Sequence, residues 1–214
     1  LATWLAAPRI REKGYDVDMM AEIGMYGYLP RASDPTIFGY YNMPTCKILN
    51  NIETMLGVFV GGPTNQCMSV LAAGQADKFG NVNSTKIPGV AYLVGSGGSN
   101  DIATNSRETI LVVSAGKSRL VEKVPYITFP GKNVRTMVTD VGVFEKLGGK
   151  DTFTLTTYIP SKANQRAEDA IAEIKEKVSW KLDVAPNLKQ AVPPTRDEIT
   201  MLRLFDPKRV FIGS

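Results

Sequence analysis

The stretch VGSGGSNDIATNSRETILVV, residues 94–113, decides how the chain is read. Its first eight residues place three glycines and two serines between an apolar run and one carboxylate, Asp101. A glycine turn behind a strand suggests a phosphate site, so nucleotide-binding folds are tested first. A Walker loop needs GxxxxGK followed by Ser or Thr, but from Gly95 onward there is no Lys until Lys117. A dinucleotide fingerprint needs glycine at its sixth position to open a full helix. Here that position is Asn100, and TILVV (109–113) begins so soon afterwards that no room is expected for the helix. Two explanations for Gly95, Gly97 and Gly98 stay open: a tight turn with positive φ, or backbone that something must approach closely.

Outward from this loop, apolar β-rich runs recur at VDMMAEI (17–23), MSVLAA (68–73), VAYLV (90–94), TILVV (109–113) and TMVTDVGVF (136–144), and read as buried strands. Polar turn residues separate them, most densely in GQADKFGNVNS (74–84), where Gln75, Asp77, Asn81 and Asn83 crowd one turn. The spacing of Ala163, Ala167, Ala170, Ile171, Ile174 and Val178 predicts an amphipathic helix over 162–178. Thr195 and Glu198 have capping-box spacing, so a second helix starts there and stops near Asp206, before Pro207. Weaker periodicity suggests helices at 2–13 and about 50–60. The pattern is α/β: an open, mostly parallel sheet flanked by helices, with a helical C-terminal end.

Composition narrows the chemistry. The 214 residues, 43% of them hydrophobic, suffice for a single domain over 1–214. Scattered charges with a net of +4 and no dense basic run argue against nucleic acid. No stretch approaches the roughly 18 consecutive apolar residues of a membrane span, and the expectation is a cytoplasmic protein. No His occurs, which removes Ser-His and Cys-His catalysis and every His-containing metal site within the chain. Cys46 and Cys67 are too few for a zinc site and read as free thiols, so no metal is expected.

Taken in order, AEIG (21–24), GQADKFGNVNS (74–84), VGSGGSNDIATNS (94–106), VEKVPYITFPG (121–131), MVTDVGVF (137–144), LTTYIP (155–160) and LFDPKRVFIG (204–213) resemble the β-type subunit of family I coenzyme A transferases. The resemblance covers nearly the whole chain. It implies a CoA-transferase-like fold, coenzyme A and acyl-CoA as substrates with no permanently bound cofactor, and an α-type partner subunit, separate or fused, in a hetero-oligomer. It also implies a catalytic glutamate at a strand end followed one residue later by glycine, a pattern that Glu22 and Gly24 match; Ile23 departs from the small or polar residue expected between them. Nothing corresponds to the strand and glycine turn that precede the first helix in the family, so the N-terminal strand is expected to be lacking.

Under this resemblance Gly24, Gly95, Gly97, Gly98, Asn100 and Asp101 are candidates for oxyanion or CoA binding, while Gln75, Asp77, Asn81 and Asn83 shape a loop or contact substrate. Without it, Glu22 would read as a solvated carboxylate at a strand end. Two alternatives share the fold: a subunit of a hydrolase opening a cyclic acyl-CoA, and a catalytically idle CoA-binding partner.

Overall fold

The structure, a computed structural model, describes residues 1–32 and 39–211. Ile212 and Gly213, the end of the LFDPKRVFIG block, lie outside the described residues. In chain order the elements are α1 (Ala2–Glu12), β1 (Met20–Ala21), β2 (Met25–Tyr26), a 3-10 stretch at Tyr40–Thr45, β3 (Ile48–Leu49) and α2 (Ile52–Thr54), which runs into a π-helical turn at Met55–Val60. Next come β4 (Met68–Ala72), β5 (Gln75–Asp77), β6 (Val82–Asn83), β7 (Lys86–Ile87), β8 (Ala91–Tyr92), α3 (Ser99–Asn105), β9 (Glu108–Val112) and β10 (Leu120–Val121). A 3-10 turn at Gly131–Asn133 precedes β11 (Val134–Val138), β12 (Gly142–Glu145), β13 (Thr154–Tyr158), α4 (Ala167–Glu176), β14 (Asp183–Gln190) and α5 (Arg196–Phe205). These elements form two compact units, one of Leu1–Phe59 with Pro193–Ser214 and one of Val60–Val192.

The second unit is built on a six-stranded sheet in the order β14-β13-β12-β11-β9-β4. Strands β4, β9 and β11 run parallel, as do β13 and β14, and β12 is antiparallel to both its neighbours. In β9, buried Thr109 and Leu111 alternate with less buried positions, the period-2 pattern of a strand facing a core. The Thr109 hydroxyl pairs with Ser69 Oγ of β4 at 2.8 Å, so the buried polar pair is satisfied. Leu111, Met137, Phe144 and Leu155 are fully enclosed with Phe129, Leu120 and Ile174. Each side chain of this size contributes about 1.5–3 kcal/mol by leaving water.

Four local expectations change in this unit. The run TMVTDVGVF is two antiparallel strands rather than one, because Thr139 Oγ1 accepts from Val141 and Gly142 N–H and donates to the Gly142 carbonyl, closing a turn between them. The run VAYLV contributes only Ala91–Tyr92 to a two-stranded hairpin with β7, and it is no buried strand: Val90 is 79% and Tyr92 71% exposed. The helix expected over 162–178 is helical only over Ala167–Glu176, since Asn164 takes φ +58°, outside the helical region. Its Ala170 and Ile174 face the core, with Val178 buried just beyond its end. Finally, the glycine loop does lead into a helix: α3 fits between the loop and β9 because it is only seven residues long.

The first unit has its own core of Trp4, Ala7, Met19, Ala21, Met25, Tyr28 and Phe205. The Trp4 ring meets Phe205 edge-on at 5.8 Å and donates its Nε1–H to the Tyr28 hydroxyl at 3.0 Å, tying α1, α5 and the segment after β2 together. Helix α5 begins with the predicted capping box: Thr195 Oγ1 accepts from Glu198 N–H and the Glu198 carboxylate accepts from Thr195 N–H. It ends at Asp206, whose carboxylate accepts from the Val210 and Phe211 N–H groups. The run VDMMAEI pairs as a strand only at Met20–Ala21, because the chain turns back on itself at Glu22.

Candidate active site

Glu22, Ile23 and Gly24 form the turn between β1 and β2, which pair as Met20 with Tyr26 and Ala21 with Met25. The turn is closed by the Gly24 N–H donating to the Ala21 carbonyl at 3.1 Å. Ala21 and Met25, on either side, are buried, so the base of the hairpin is anchored while the Glu22 side chain at its tip stays partly exposed. Gly24 has φ +121°, and a Cβ there would lie 2.0 Å from the Asn50 carbonyl oxygen. Its own carbonyl accepts from Asn50 N–H at 2.9 Å. Only glycine lets the segment before α2 close on this turn. Among the described residues, no hydrogen bond or ion pair engages the Glu22 carboxylate. Burial, with smaller contributions from neighbours including Glu22, raises the pKa of the nearby Tyr28 phenol, so it stays neutral.

The other candidates belong to the second unit. Gly95 and Gly97 are exposed and Gly98 is buried at the N-cap of α3. Gly97 has φ +54°, but among the described residues no atom beyond its chain neighbours lies within 4 Å of where its Cβ would be; at Gly95 the Tyr92 hydroxyl approaches, at 3.4 Å. Gly98 has φ −82°, a conformation open to any residue. A positive φ therefore accounts for Gly97 alone of the three, and no neighbouring atom excludes a side chain at Gly95 or Gly97. Asp101 is exposed in the first turn of α3, while the Asn100 Oδ1 is buried without a hydrogen-bond partner among the described residues.

Gln75, Asp77, Asn81 and Asn83 direct their polar atoms to the chain itself. Asp77, 1% exposed, accepts from the N–H groups of Phe79 and Asn81 and from Asn81 Nδ2, all at 3.0 Å. Asn81 Oδ1 accepts from Gly131 N–H at 2.9 Å. Asn83 Nδ2 donates to Gln75 Oε1 and the Lys86 carbonyl, its Oδ1 accepts from Thr85 and Lys86 N–H, and Gln75 Nε2 donates to the Ser118 carbonyl. Local sequence did not reveal Lys146, whose Nζ donates to the Phe79 and Gly131 carbonyls at 2.7 and 2.8 Å. Burial lowers its pKa. Asn133 was missed as well: its Nδ2 donates to the Ala103 and Thr104 carbonyls of α3 at 3.3 and 2.8 Å. A lone Lys and a lone Asn carry no local pattern, and their partners lie 67 and 30 residues away.

Among the described residues no group of three or more His, Cys, Asp or Glu side chains is arranged to hold a metal ion. No helix among them is long and apolar enough to cross a membrane. Burial raises the pKa of the Cys46 thiol and so disfavours a reactive thiolate there. The groups left to act at the candidate positions are a carboxylate and backbone amides. Each is a group of a kind that acyl transfer uses, the carboxylate as nucleophile and the amides as oxyanion donors.

Comparison with known proteins bears on this chemistry. The family model for coenzyme A transferase matches residues 61–166. The chain is 27% identical over 158 residues to a 3-oxoadipate CoA-transferase subunit of Pseudomonas knackmussii, a match covering 64% of this chain and 58% of the relative. It is 26% identical over 168 residues to a glutaconate CoA-transferase subunit of Acidaminococcus fermentans, covering 69% of this chain and 60% of that one. The chain thus spans about three fifths of these relatives' lengths. In fold it is similar to the crystal structure of the Acidaminococcus fermentans glutaconate CoA-transferase, with a TM-score of 0.81 at 24% identity over 98% of this chain and 86% of that one. It is also similar to the decarboxylase AibA/AibB, with a TM-score of 0.73 at 19% identity over 91% of this chain and 79% of that one. The matched segment, the two CoA-transferase relatives and the shared fold agree: residues 61–166 fit the coenzyme A transferase family, and the chain as a whole is similar to CoA-transferase subunits.

Proposed function

We propose that the chain is one subunit of a CoA-transferase that moves CoA from an acyl-CoA to a free carboxylic acid through a thioester on Glu22. The observation that carries this reading is the placement of Glu22 at the tip of an anchored hairpin, its carboxylate partly exposed and engaged by no hydrogen bond or ion pair among the described residues. Such a carboxylate attacks the thioester carbonyl. The C–S bond breaks, CoA thiolate leaves, and an acyl-glutamyl anhydride forms. The thiolate then attacks the Glu22 carbonyl carbon, expelling the donor acid as its carboxylate and leaving a glutamyl-CoA thioester. The acceptor carboxylate reverses these steps and departs as its CoA ester, regenerating Glu22. Neither imidazole nor metal is consumed in the sequence.

Each step passes through a tetrahedral oxyanion, for which backbone N–H groups around Gly97 and Gly98 are the proposed donors. Asn100 and Asp101 fix this loop or contact the acyl group. The two relatives, each one subunit of its CoA-transferase, support an α-type partner with which the chain is active. Alone, it is expected not to transfer CoA.

The test uses the chain reconstituted with an α-type subunit. Incubated with acyl-CoA and no acceptor acid, it should retain CoA covalently, and borohydride should reduce the ester to an alcohol on one residue, which peptide mass analysis places at Glu22. Glu22→Gln keeps the shape without the attacking anion and should abolish both label and exchange. A label on another residue, or near-normal exchange by Glu22→Gln, refutes the assignment and leaves the hydrolase or idle-partner alternatives. Robust exchange by the purified single chain refutes the requirement for a partner.

A further inference from the structure

A seven-residue helix does not hold itself in place in water, so α3 depends on what grips it. Its N-terminal end is the glycine loop, with Gly98 as N-cap. The last carbonyls of a helix have no partners within it and need donors from elsewhere. Asn133 supplies them: its Nδ2 reaches the Ala103 carbonyl at 3.3 Å and the Thr104 carbonyl at 2.8 Å, and two carbonyl acceptors require the amide nitrogen, not the oxygen, at that place. Asn65 Nδ2 adds a bond to the Asn105 carbonyl at 3.3 Å.

Asn133 is itself firmly held. It ends the 3-10 turn at Gly131–Asn133, and Gly131 belongs to a closed ring of hydrogen bonds. Lys146 Nζ donates to the Gly131 and Phe79 carbonyls, Phe79 N–H donates to Asp77, Asn81 Nδ2 donates to Asp77, and Gly131 N–H returns to Asn81 Oδ1. A side chain at Gly131 would put its Cβ 2.1 Å from the Phe79 carbonyl oxygen, so the ring leaves no slack there. The GQADKFGNVNS turn and the glycine loop, far apart in sequence, are thus joined through Asn133 and α3. We propose that Asn133 is a positioning residue that sets the place of the glycine loop by gripping the far end of α3. This rests on the reading that the loop's backbone binds the reacting thioester.

The experiment measures exchange kinetics of the chain with its α-type partner. Asn133→Asp keeps the size, but an ionised carboxylate has no donor to offer and faces two carbonyl oxygens. It should lower kcat by about tenfold or more, as small misplacements of catalytic groups do, while the KM for acyl-CoA stays within about twofold. Because a protonated carboxyl donates again, its rate relative to wild type should partly recover as pH falls through that group's titration. Asn133→Ala should lose rate similarly without the recovery.

Gly98→Val and Gly98→Ala, run in the same assay, test the loop separately. If they slow exchange while both Asn133 variants, shown folded by circular dichroism, keep wild-type kcat, the positioning role is wrong and the loop reading stands. If the Gly98 variants also exchange at wild-type rate, the loop reading falls and takes the inference with it. Asn133 variants that change only thermal stability or KM also overturn the proposal.

Discussion

The Glu22 turn and the glycine loop both rely on glycine, for opposite physical reasons. At Gly24 a Cβ would meet a backbone carbonyl oxygen at 2.0 Å, and φ is +121°. At Gly97 φ is also positive, +54°, yet among the described residues nothing beyond its chain neighbours lies within 4 Å of a Cβ. The first glycine is demanded by the packing of its own unit and would be needed whatever the protein did. Beyond one backbone angle, the second faces open space. Packing explains why Gly24 lacks a side chain but not why exposed Gly95 does, and the exposed side of this loop is where a ligand reading has room.

Substitutions can break or sharpen this contrast. Gly24→Ala should have the largest effect on folding: combining steric overlap with an unfavourable φ, it should destabilise the protein by about 3 kcal/mol or more, measured by chemical denaturation. A shift of a few tenths would show that the turn does not need glycine. Gly98→Val should do the reverse, lowering exchange by about tenfold or more through obstruction of the proposed oxyanion donors. Its stability should fall by only about 1 kcal/mol, on the scale of an N-cap replacement. Full activity in the folded protein, with stability lost, would place Gly98 with Gly24 as a purely structural glycine.

Gly97→Ala should cost about 1–2 kcal/mol of stability from φ alone, because no neighbour is struck; a loss as large as that of Gly24→Ala would contradict the open space around it. The smallest effect is expected at Glu198, whose pKa is lowered chiefly by the backbone N–H of Thr195 in the α5 capping box. A carboxylate with a depressed folded pKa contributes stability above its unfolded pKa, which is lost as pH falls through the folded value. Glu198→Gln should therefore remove a small part of the acid-side drop in melting temperature, read by melts across that range. An unchanged pH slope would show that this exposed interaction contributes nothing measurable.

Local pattern foretold the elements whose cause is local. The capping box at Thr195 needs only residues three apart, and the buried face of α4 needs only helical spacing. Strands β4 and β9 could be read because their apolar runs are short and end in turns. VAYLV misled because its apolar residues look like core, while the folded unit leaves Val90 and Tyr92 exposed on a hairpin. TMVTDVGVF misled because the turn at Thr139 depends on one hydroxyl making three hydrogen bonds, for which an apolar-looking run gives no sign. Among the site candidates, the glycine loop stood out in the sequence itself, while Glu22 was found through resemblance to a family; composition and periodicity alone would have left Glu22 a solvated carboxylate.

By itself the sequence determined the α/β class, the absence of imidazole chemistry within the chain, the ends of α5 and the family that the chain resembles. These follow from residue types, from spacings of a few residues and from the order of motif blocks. Only the tertiary structure decided that Gly24 is held against Asn50, that β12 runs antiparallel, and that Asp77, Asn81, Gly131 and Lys146 close one ring with Asn133 reaching from it to α3. The physical reason is range. A hydrogen bond between groups tens of residues apart depends on where the fold brings them, and neither partner's neighbours in the chain carry a trace of the other.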